Sequence, residues 1–305
     1  MIPIVVSGAT GLLGKSILDK LLTVFPNTQI IALARTPIKN KNITTILWDL
    51  PNQLPNKNQL PEKFHYIHTA NLLKTTDTSK FESINCKALE EFLSIFTEQI
   101  SSIIWVSSLS VLGSGPFISA TETDLTMPNT ELAKSRLKQE ELILKFAKKN
   151  NIPCTGLRGR LYIGANEKEF NSYLRLILKY PLLAFNNAET NISVISSEDF
   201  ASIVSKIILK NSSQREIYNI AYSTPLSIKE FLKTNNKKPI LTISTKMISY
   251  LIVFMPKKIR ISLTNKIELL GQNQVMNVTK LNQFLNDESL DKNPIEIINS
   301  YIKTK

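Results

Sequence analysis

Two cysteines in 305 residues cannot build a disulfide framework. Cys86 and Cys154 read as small buried hydrophobes in a protein of the reducing cytoplasm. Long apolar runs are missing too. The longest is Met247–Met255, well short of the about 17–25 residues a membrane-spanning helix needs. Lys257, Lys258 and Arg260 follow it, so it reads as a buried helix, with a peripheral membrane or partner contact through 247–260 as the sharper alternative. No secretory signal is expected, because residues 2–6 are apolar but lack a basic start. Acidic residues are outnumbered, 25 against 37 Lys and Arg, giving a formal charge of +12. That excess favours acidic partners in general. It is spread along the whole chain, however, with no dense basic arm and no aromatic–basic alternation, which disfavours nucleic acid. No metal-ligand set stands out. Glycine is scarce, at nine residues, so the places it occupies are informative.

Three of those glycines fall together. Ile4-Val5-Val6-Ser7 runs into Gly8-Ala9-Thr10-Gly11-Leu12-Leu13-Gly14, and Ile17, Leu18, Leu21 and Leu22 continue as the apolar face of a helix. A strand, a glycine-spaced turn and a helix start make a site for an anion. Gly8 allows the sharp turn, Gly11 lets a pyrophosphate approach the backbone, and Gly14 lets the helix pack close to the sheet. The unpaired N–H groups and dipole of the new helix favour negative charge there. A phosphate-binding P-loop is excluded, since neither Gly8 nor Gly11 stands four residues before the Gly14-Lys15 pair.

Further along, apolar runs alternate with helical patterns. Strands are expected at 2–7, 28–34, 43–48, 64–69, 101–107 and 152–158, and helices at about 11–25, 79–98 and 131–150. Residues 36–42 and 51–63 read as loops. Such alternation predicts an α/β fold, a Rossmann-type doubly wound parallel sheet with ligands at the carboxyl ends of its strands. Residues 1–165 are assigned to this domain, with 196–221 returning to it. Residues 166–195 and 222–305 are assigned to a smaller C-terminal substrate or partner lobe. The second strand ends at Ala34-Arg35, where an NAD-selective site carries a carboxylate for the ribose hydroxyl. A guanidinium there suits a 2′-phosphate, so NADP is favoured over NAD, unless Arg35 is merely solvated at a strand end.

The Gly-x-x-Gly-x-x-Gly spacing resembles that of the short-chain dehydrogenase/reductase superfamily, in particular its extended, nucleotide-sugar epimerase-like branch. Asp49-Leu50 resembles that family's acidic-apolar pair near the adenine, and Tyr66-Ile67-His68-Thr69-Ala70-Asn71 its fourth-strand segment along the cofactor. Asn85 is similar to a structural helical Asn. Leu157-Arg158-Gly159-Arg160-Leu161-Tyr162-Ile163-Gly164 resembles a segment near the nicotinamide, with Gly159 in place of the usual Pro. The resemblance implies cofactor contacts from Gly8, Thr10, Gly11, Leu12, Leu13, Gly14, Arg35, Asp49, Leu50, Ala70 and Arg136. It implies that His68 is structural. It also points to a nucleotide sugar or a partner protein as the second ligand, and to dimerisation through helices 79–98 and 131–150.

Catalysis in that family rests on Ser or Thr, Tyr and Lys. Val106-Ser107-Ser108-Leu109-Ser110-Val111-Leu112-Gly113 resembles the Ser segment and places the substrate-facing hydroxyl at Ser108, although serines also cap strand ends. The Tyr-x-x-Ser-Lys-x-x-x-Glu motif aligns on Leu132-Ala133-Lys134-Ser135-Arg136-Leu137-Lys138-Gln139-Glu140, so Leu132 stands in the Tyr place and Arg136 in the Lys place. No Tyr occurs between residues 67 and 161. Leucine moves no proton, and an arginine of pKa above about 12 is neither acid nor base at neutral pH. These residues point to an NADP-binding sensor or accessory subunit without catalysis. The alternative is an active reductase or epimerase whose acid comes from Tyr162 or Tyr173, and a second alternative is a membrane-surface or nucleic-acid-associated factor.

Overall fold

The computed structural model describes residues 1–49, 51–164, 169–181, 188–238 and 271–303. In chain order its elements begin with β1 (Ile4–Ser7), α1 (Leu12–Val24), β2 (Ile30–Ala34), β3 (Ile43–Leu47) and β4 (Phe64–His68). A π-helical turn over Phe81–Lys87 then runs into α2 (Ala88–Ile95). Next come β5 (Ile100–Ser108), β6 (Phe117–Ala120), α3 (Glu131–Lys149), β7 (Cys154–Gly159) and β8 (Leu161–Ile163). They are followed by α4 (Glu169–Lys179), β9 (Asn191–Ile192), β10 (Val194–Ser196), α5 (Ser197–Lys210) and β11 (Arg215–Asn219). The described chain closes with β12 (Leu226–Ser227), α6 (Ile228–Thr234), β13 (Gln274–Met276), α7 (Thr279–Leu285) and α8 (Pro294–Lys303).

The chain divides into two compact units. The first comprises Met1–Gly113, Thr126–Arg158 and Ser197–Tyr218. Its seven-stranded sheet has the order β11-β7-β5-β4-β1-β2-β3, and the pairs from β3 through β2, β1 and β4 to β5 are parallel. Connections between parallel neighbours must cross the sheet, so helices cover both faces and the central strands are buried along their whole length. β1, β2 and β4 are accordingly buried at every residue. On one face α1 packs with α5. On the other, Leu89, Phe92 and Phe96 of the α2 region and Ile143 and Ala147 of α3 close over Val5, Leu33, Tyr66 and Trp105. Phe92 stacks between Tyr66 and Trp48, at centroid distances of 4.6 and 5.1 Å. Gly156 leaves room for the Trp105 ring, since a Cβ there would lie 2.4 Å from Cζ2.

The second unit comprises Ser114–Leu125, Gly159–Ser196 and Asn219–Lys305. It holds a parallel pair, β8 with β10, and a mixed sheet of order β12-β9-β13-β6. Two stretches of residues 1–165 assigned above to the first domain fall here instead, as do Ser196 and Asn219–Ala221 at the ends of the returning segment. Ser114–Leu125 leaves it because β6 pairs with β13, and the stretch from Gly159 leaves it because β8 pairs with β10. The apolar run at 247–255 and Leu50 lie outside the described residues. Among the described residues no helix is long and apolar enough to cross a membrane, and no cluster of three metal-ligating side chains occurs. Cys86 and Cys154 are both buried free thiols, each pushed up to about 12 by that burial.

Candidate functional site

The turn between β1 and α1 is held by its glycines in three different ways. Gly8 has φ of +70°, and a Cβ there would lie 2.6 Å from the Ala70 nitrogen. Gly14 sits under the turn, where a Cβ would be 2.2 Å from the Gly8 carbonyl oxygen. Gly11 differs from both. Its backbone is extended, and its Cβ would meet only the Gly8 oxygen, at 3.2 Å. What glycine provides at 11 is therefore open space above the helix start rather than relief from a protein neighbour. Gly11 is also the N-cap of α1, with no side-chain cap and no acidic residue in the first turn. The N–H groups of the first turn have no partner inside the helix by construction. A cradle that a Cβ would fill, floored by uncapped amides, fits a pyrophosphate.

The flanks of this cradle carry the other expected residues. The end of β2 and the residues after β3 lie side by side, with Trp48 N–H donating to the Ala34 carbonyl at 3.0 Å. Arg35 and Asp49 follow these points and are both exposed. The Asp49 carbonyl accepts from the Asn52 and Gln53 amides, so the carboxylate stands at the head of a turn. On the other flank, Thr69 donates from Oγ1 to the Ser7 carbonyl at 2.7 Å, fixing the end of β4 to the end of β1.

Below the strand ends lies a polar interior. His68 Nδ1 is 2.9 Å from both Ser7 Oγ and Tyr66 Oη, and Gln139 Nε2 reaches His68 Nε2 at 3.3 Å. An amide nitrogen can only donate, which puts the imidazole proton on Nδ1. Burial, helped by the nearby Arg136 cation, drives the His68 pKa down to about 3. This histidine is neutral at pH 7, and the one N–H it keeps is too weakly acidic to serve as a general acid there. Burial also pushes the Tyr66 phenol upward. Arg136 is 8% exposed and donates from Nη1 to the Val106 carbonyl at 2.9 Å, tying α3 to β5. Leu132, one helical turn earlier, is half-buried, and its carbonyl accepts from Ser135 Oγ.

Ser108 ends β5 and caps the following turn, accepting from Ser110 N–H at 3.2 Å and from Ser110 Oγ at 3.0 Å. Because both of these bonds point inward to the Ser108 oxygen, its own O–H is left to donate. Neighbouring Ser107 turns the other way and donates to Glu140 Oε1, which with Oε2 also holds Arg158 in a two-point ion pair at 2.8 and 2.6 Å. The Tyr162 hydroxyl packs against Gly159, where a Cβ would lie 2.2 Å from it. The side chain of Tyr173 lies outside the described residues.

The structure thus gathers Gly8, Gly11, Gly14 and Ala70 around one turn, sets Arg35 and Asp49 on one flank, and joins Arg136 to the strand bearing Ser108. Sequence reasoning missed the interlock of Ser107, Glu140 and Arg158, and the state of Asn71. Both amide atoms of Asn71 are cut off from water and from any hydrogen-bond partner. The interlock had a signal, a Glu and an Arg set in the midst of apolar strand and helix faces. Asn71 had its place in the Tyr66–Asn71 segment, which does not tell that its amide lies buried without a partner.

A strand–glycine turn–helix on an interior strand of a parallel sheet of this order defines the dinucleotide-binding class of α/β proteins. The chain belongs to the NAD dependent epimerase/dehydratase family, whose model matches residues 4–221. A search of curated protein sequences finds no match. Among solved structures the fold is shared with UDP-glucuronic acid 4-epimerase from Bacillus cereus in complex with NAD, at 16% identity over 99% of this chain and 100% of that one, TM-score 0.72. It is shared also with MoeE5 in complex with UDP-glucuronic acid and NAD, at 17% identity over 99% and 98%, TM-score 0.77. A third is UDP-N-acetylglucosamine 4-epimerase from Methanobrevibacter ruminantium M1 in complex with UDP-N-acetylmuramic acid, at 16% identity over 99% and 97%, TM-score 0.73.

Proposed function

We propose that this chain binds an NAD(P) dinucleotide on the Gly8–Gly14 turn and acts on a nucleotide-linked sugar, as a reductase or epimerase whose proton transfer does not come from α3. The open cradle at Gly11 over an uncapped helix start carries this reading. The bound dinucleotide supplies hydride chemistry. The first-turn amides hold its pyrophosphate, and the Ser108 O–H donates to an oxygen of the substrate. Arg136, fixed to Val106, holds positive charge near the strand ends without exchanging protons. Family membership and the UDP-sugars bound by MoeE5 and by the Methanobrevibacter ruminantium 4-epimerase support the substrate class.

A second reading, binding without turnover, is favoured by one observation. Leu132 and Arg136 leave the first turns of α3 with nothing in these two places that titrates near neutral pH. Calorimetric titration with NADH and NADPH, followed by assay with UDP-glucose and UDP-glucuronic acid, separates the two. Binding with epimerised product or steady cofactor consumption supports catalysis. Binding with neither supports the second reading, and no binding of either dinucleotide removes both.

The finer cofactor choice rests on Arg35. With a guanidinium and no carboxylate at the end of β2, the site favours NADP by contact with its 2′-phosphate. Arg35→Ala is expected to weaken NADPH about tenfold, within the range of a charge-assisted hydrogen bond, and to leave NADH unchanged. Equal affinities for the two dinucleotides in the unaltered protein overturn this choice.

A further inference from the structure

Ser110 lies in the helical turn Leu109–Leu112 that follows β5. Its three companions in that turn, Leu109, Val111 and Leu112, are buried, and Ser110 alone is half-exposed. Two backbone bonds close the turn: the Gly113 N–H donates to the Ser110 carbonyl at 3.0 Å, and the Met127 N–H to the Val111 carbonyl at 3.1 Å. Ser110 cannot turn without lifting Leu109 or Val111 out of the core. The place of its side chain is therefore set by its apolar neighbours.

From that place Ser110 directs both of its donors at one atom. Its N–H and its Oγ–H reach Ser108 Oγ at 3.2 and 3.0 Å. A serine oxygen has two lone pairs and one proton. The N–H bond by itself completes the cap at the strand end, and an alanine at 110 would keep it. With that bond alone, one lone pair of Ser108 stays open, and its hydroxyl can turn to accept from water or from a sugar hydroxyl. The Ser110 hydroxyl fills the second lone pair and closes that choice. Accepting two hydrogen bonds also polarises the Ser108 O–H, which strengthens the bond it donates. Ser108 is half-buried, so a ligand oxygen can reach that proton. Ser107 takes no part, being 2% exposed and committed to Glu140.

We infer that Ser110 is a positioning residue, whose hydroxyl makes Ser108 a pure hydrogen-bond donor toward the substrate sugar without touching the substrate itself. This rests on the nucleotide-sugar reading above, in which the Ser108 O–H meets a substrate oxygen. The Ser110 side chain then matters only through Ser108, and its effect vanishes when the Ser108 hydroxyl is removed.

The test is a double-variant cycle read by binding, so it needs no turnover. Calorimetric affinities for UDP-glucose, UDP-glucuronic acid and UDP, which lacks the sugar, are measured with NADPH present. The proteins are the unaltered chain, Ser108→Ala, Ser110→Ala, Ser110→Thr and the variant carrying both alanines, each with its melting temperature. Ser110→Ala is expected to weaken the UDP-sugar about threefold or more, within the range of one hydrogen bond, and to leave UDP and the melting temperature unchanged. Ser110→Thr, which keeps the hydroxyl, should restore the affinity, and the double variant should bind no more weakly than Ser108→Ala. Three results overturn the inference and leave the nucleotide-sugar reading standing. These are unchanged UDP-sugar affinity in Ser110→Ala, a Ser110→Thr as weak as Ser110→Ala, and losses that add in the double variant. Unchanged affinity in Ser108→Ala removes the Ser108 contact and this inference together. If the unaltered protein binds neither UDP-sugar, the reading itself falls and the inference falls with it.

Discussion

The three glycines of the β1–α1 turn, given three roles by their spacing, meet three different surroundings in space. Gly14 is confined by the Gly8 carbonyl oxygen, which would lie 2.2 Å from a methyl carbon at residue 14 and, being backbone, cannot swing aside. Gly14→Ala is expected to lower folding stability by about 1–3 kcal/mol, as overpacking does, read as a reduced denaturation midpoint. At Gly11 the backbone angles suit any residue and the nearest atom is 3.2 Å away, so a methyl needs only a small adjustment. Gly11→Ala should leave the denaturation midpoint nearly unchanged and still weaken dinucleotide binding at least tenfold, because the methyl occupies the ligand's space. Equal binding by Gly11→Ala and the unaltered protein would sink the cradle assignment. Spacing was enough to expect close packing at Gly14 and open space at Gly11; that the Gly8 carbonyl oxygen is the atom confining Gly14 was not legible, because it depends on how the turn closes.

Among the elements, α3 does the most to hold the strand ends in place. Its Glu140 takes Ser107 of β5 and Arg158 of β7, with the Glu140 and Arg158 side chains 2% and 5% exposed. Removing one partner of a buried pair strands the other charge, at a cost of about 3–5 kcal/mol. Glu140→Ala is therefore expected to lower stability by that amount in chemical denaturation, and a change under about 1 kcal/mol would show that the interlock carries no weight. Strands β1 to β5 and helices α1 and α3 were readable in the sequence because apolar runs end at turn residues and the helical spacing is regular. β6 was not. Phe117–Ala120 is short and sits among glycine and proline, and it becomes a strand only by pairing with Gln274–Met276 far along the chain. The expected helix over 79–98 was right in place, yet its opening is a π turn that sets Asn85 between Leu72 and Ser135, a detail that apolar periodicity cannot carry.

At the scale of the whole molecule, the buried polar interior makes stability depend on pH. His68 is held near 3 in the folded protein against an ordinary value of 6.5, and burial lowers His65 as well. The unfolded chain thus binds more protons than the folded one below the ordinary value, so stability rises with pH in that range. The His68 contribution is fully present above pH 6.5 and falls as the pH drops from there toward 3, by up to about 1.4 kcal/mol per pH unit. Denaturation midpoints measured from pH 7 to pH 4 should fall steadily, and His68→Gln should flatten the slope; an unchanged slope in that variant would mean that other groups govern it. The packing of Trp105 against Gly156 has a consequence of a different kind. The chain has two tryptophans, and both Trp48 and Trp105 are buried in the first unit. Their ultraviolet emission is therefore an optical label for that unit alone, blind to the opening of the second, and comparing it with far-ultraviolet dichroism reads out whether the two units melt as one or in turn.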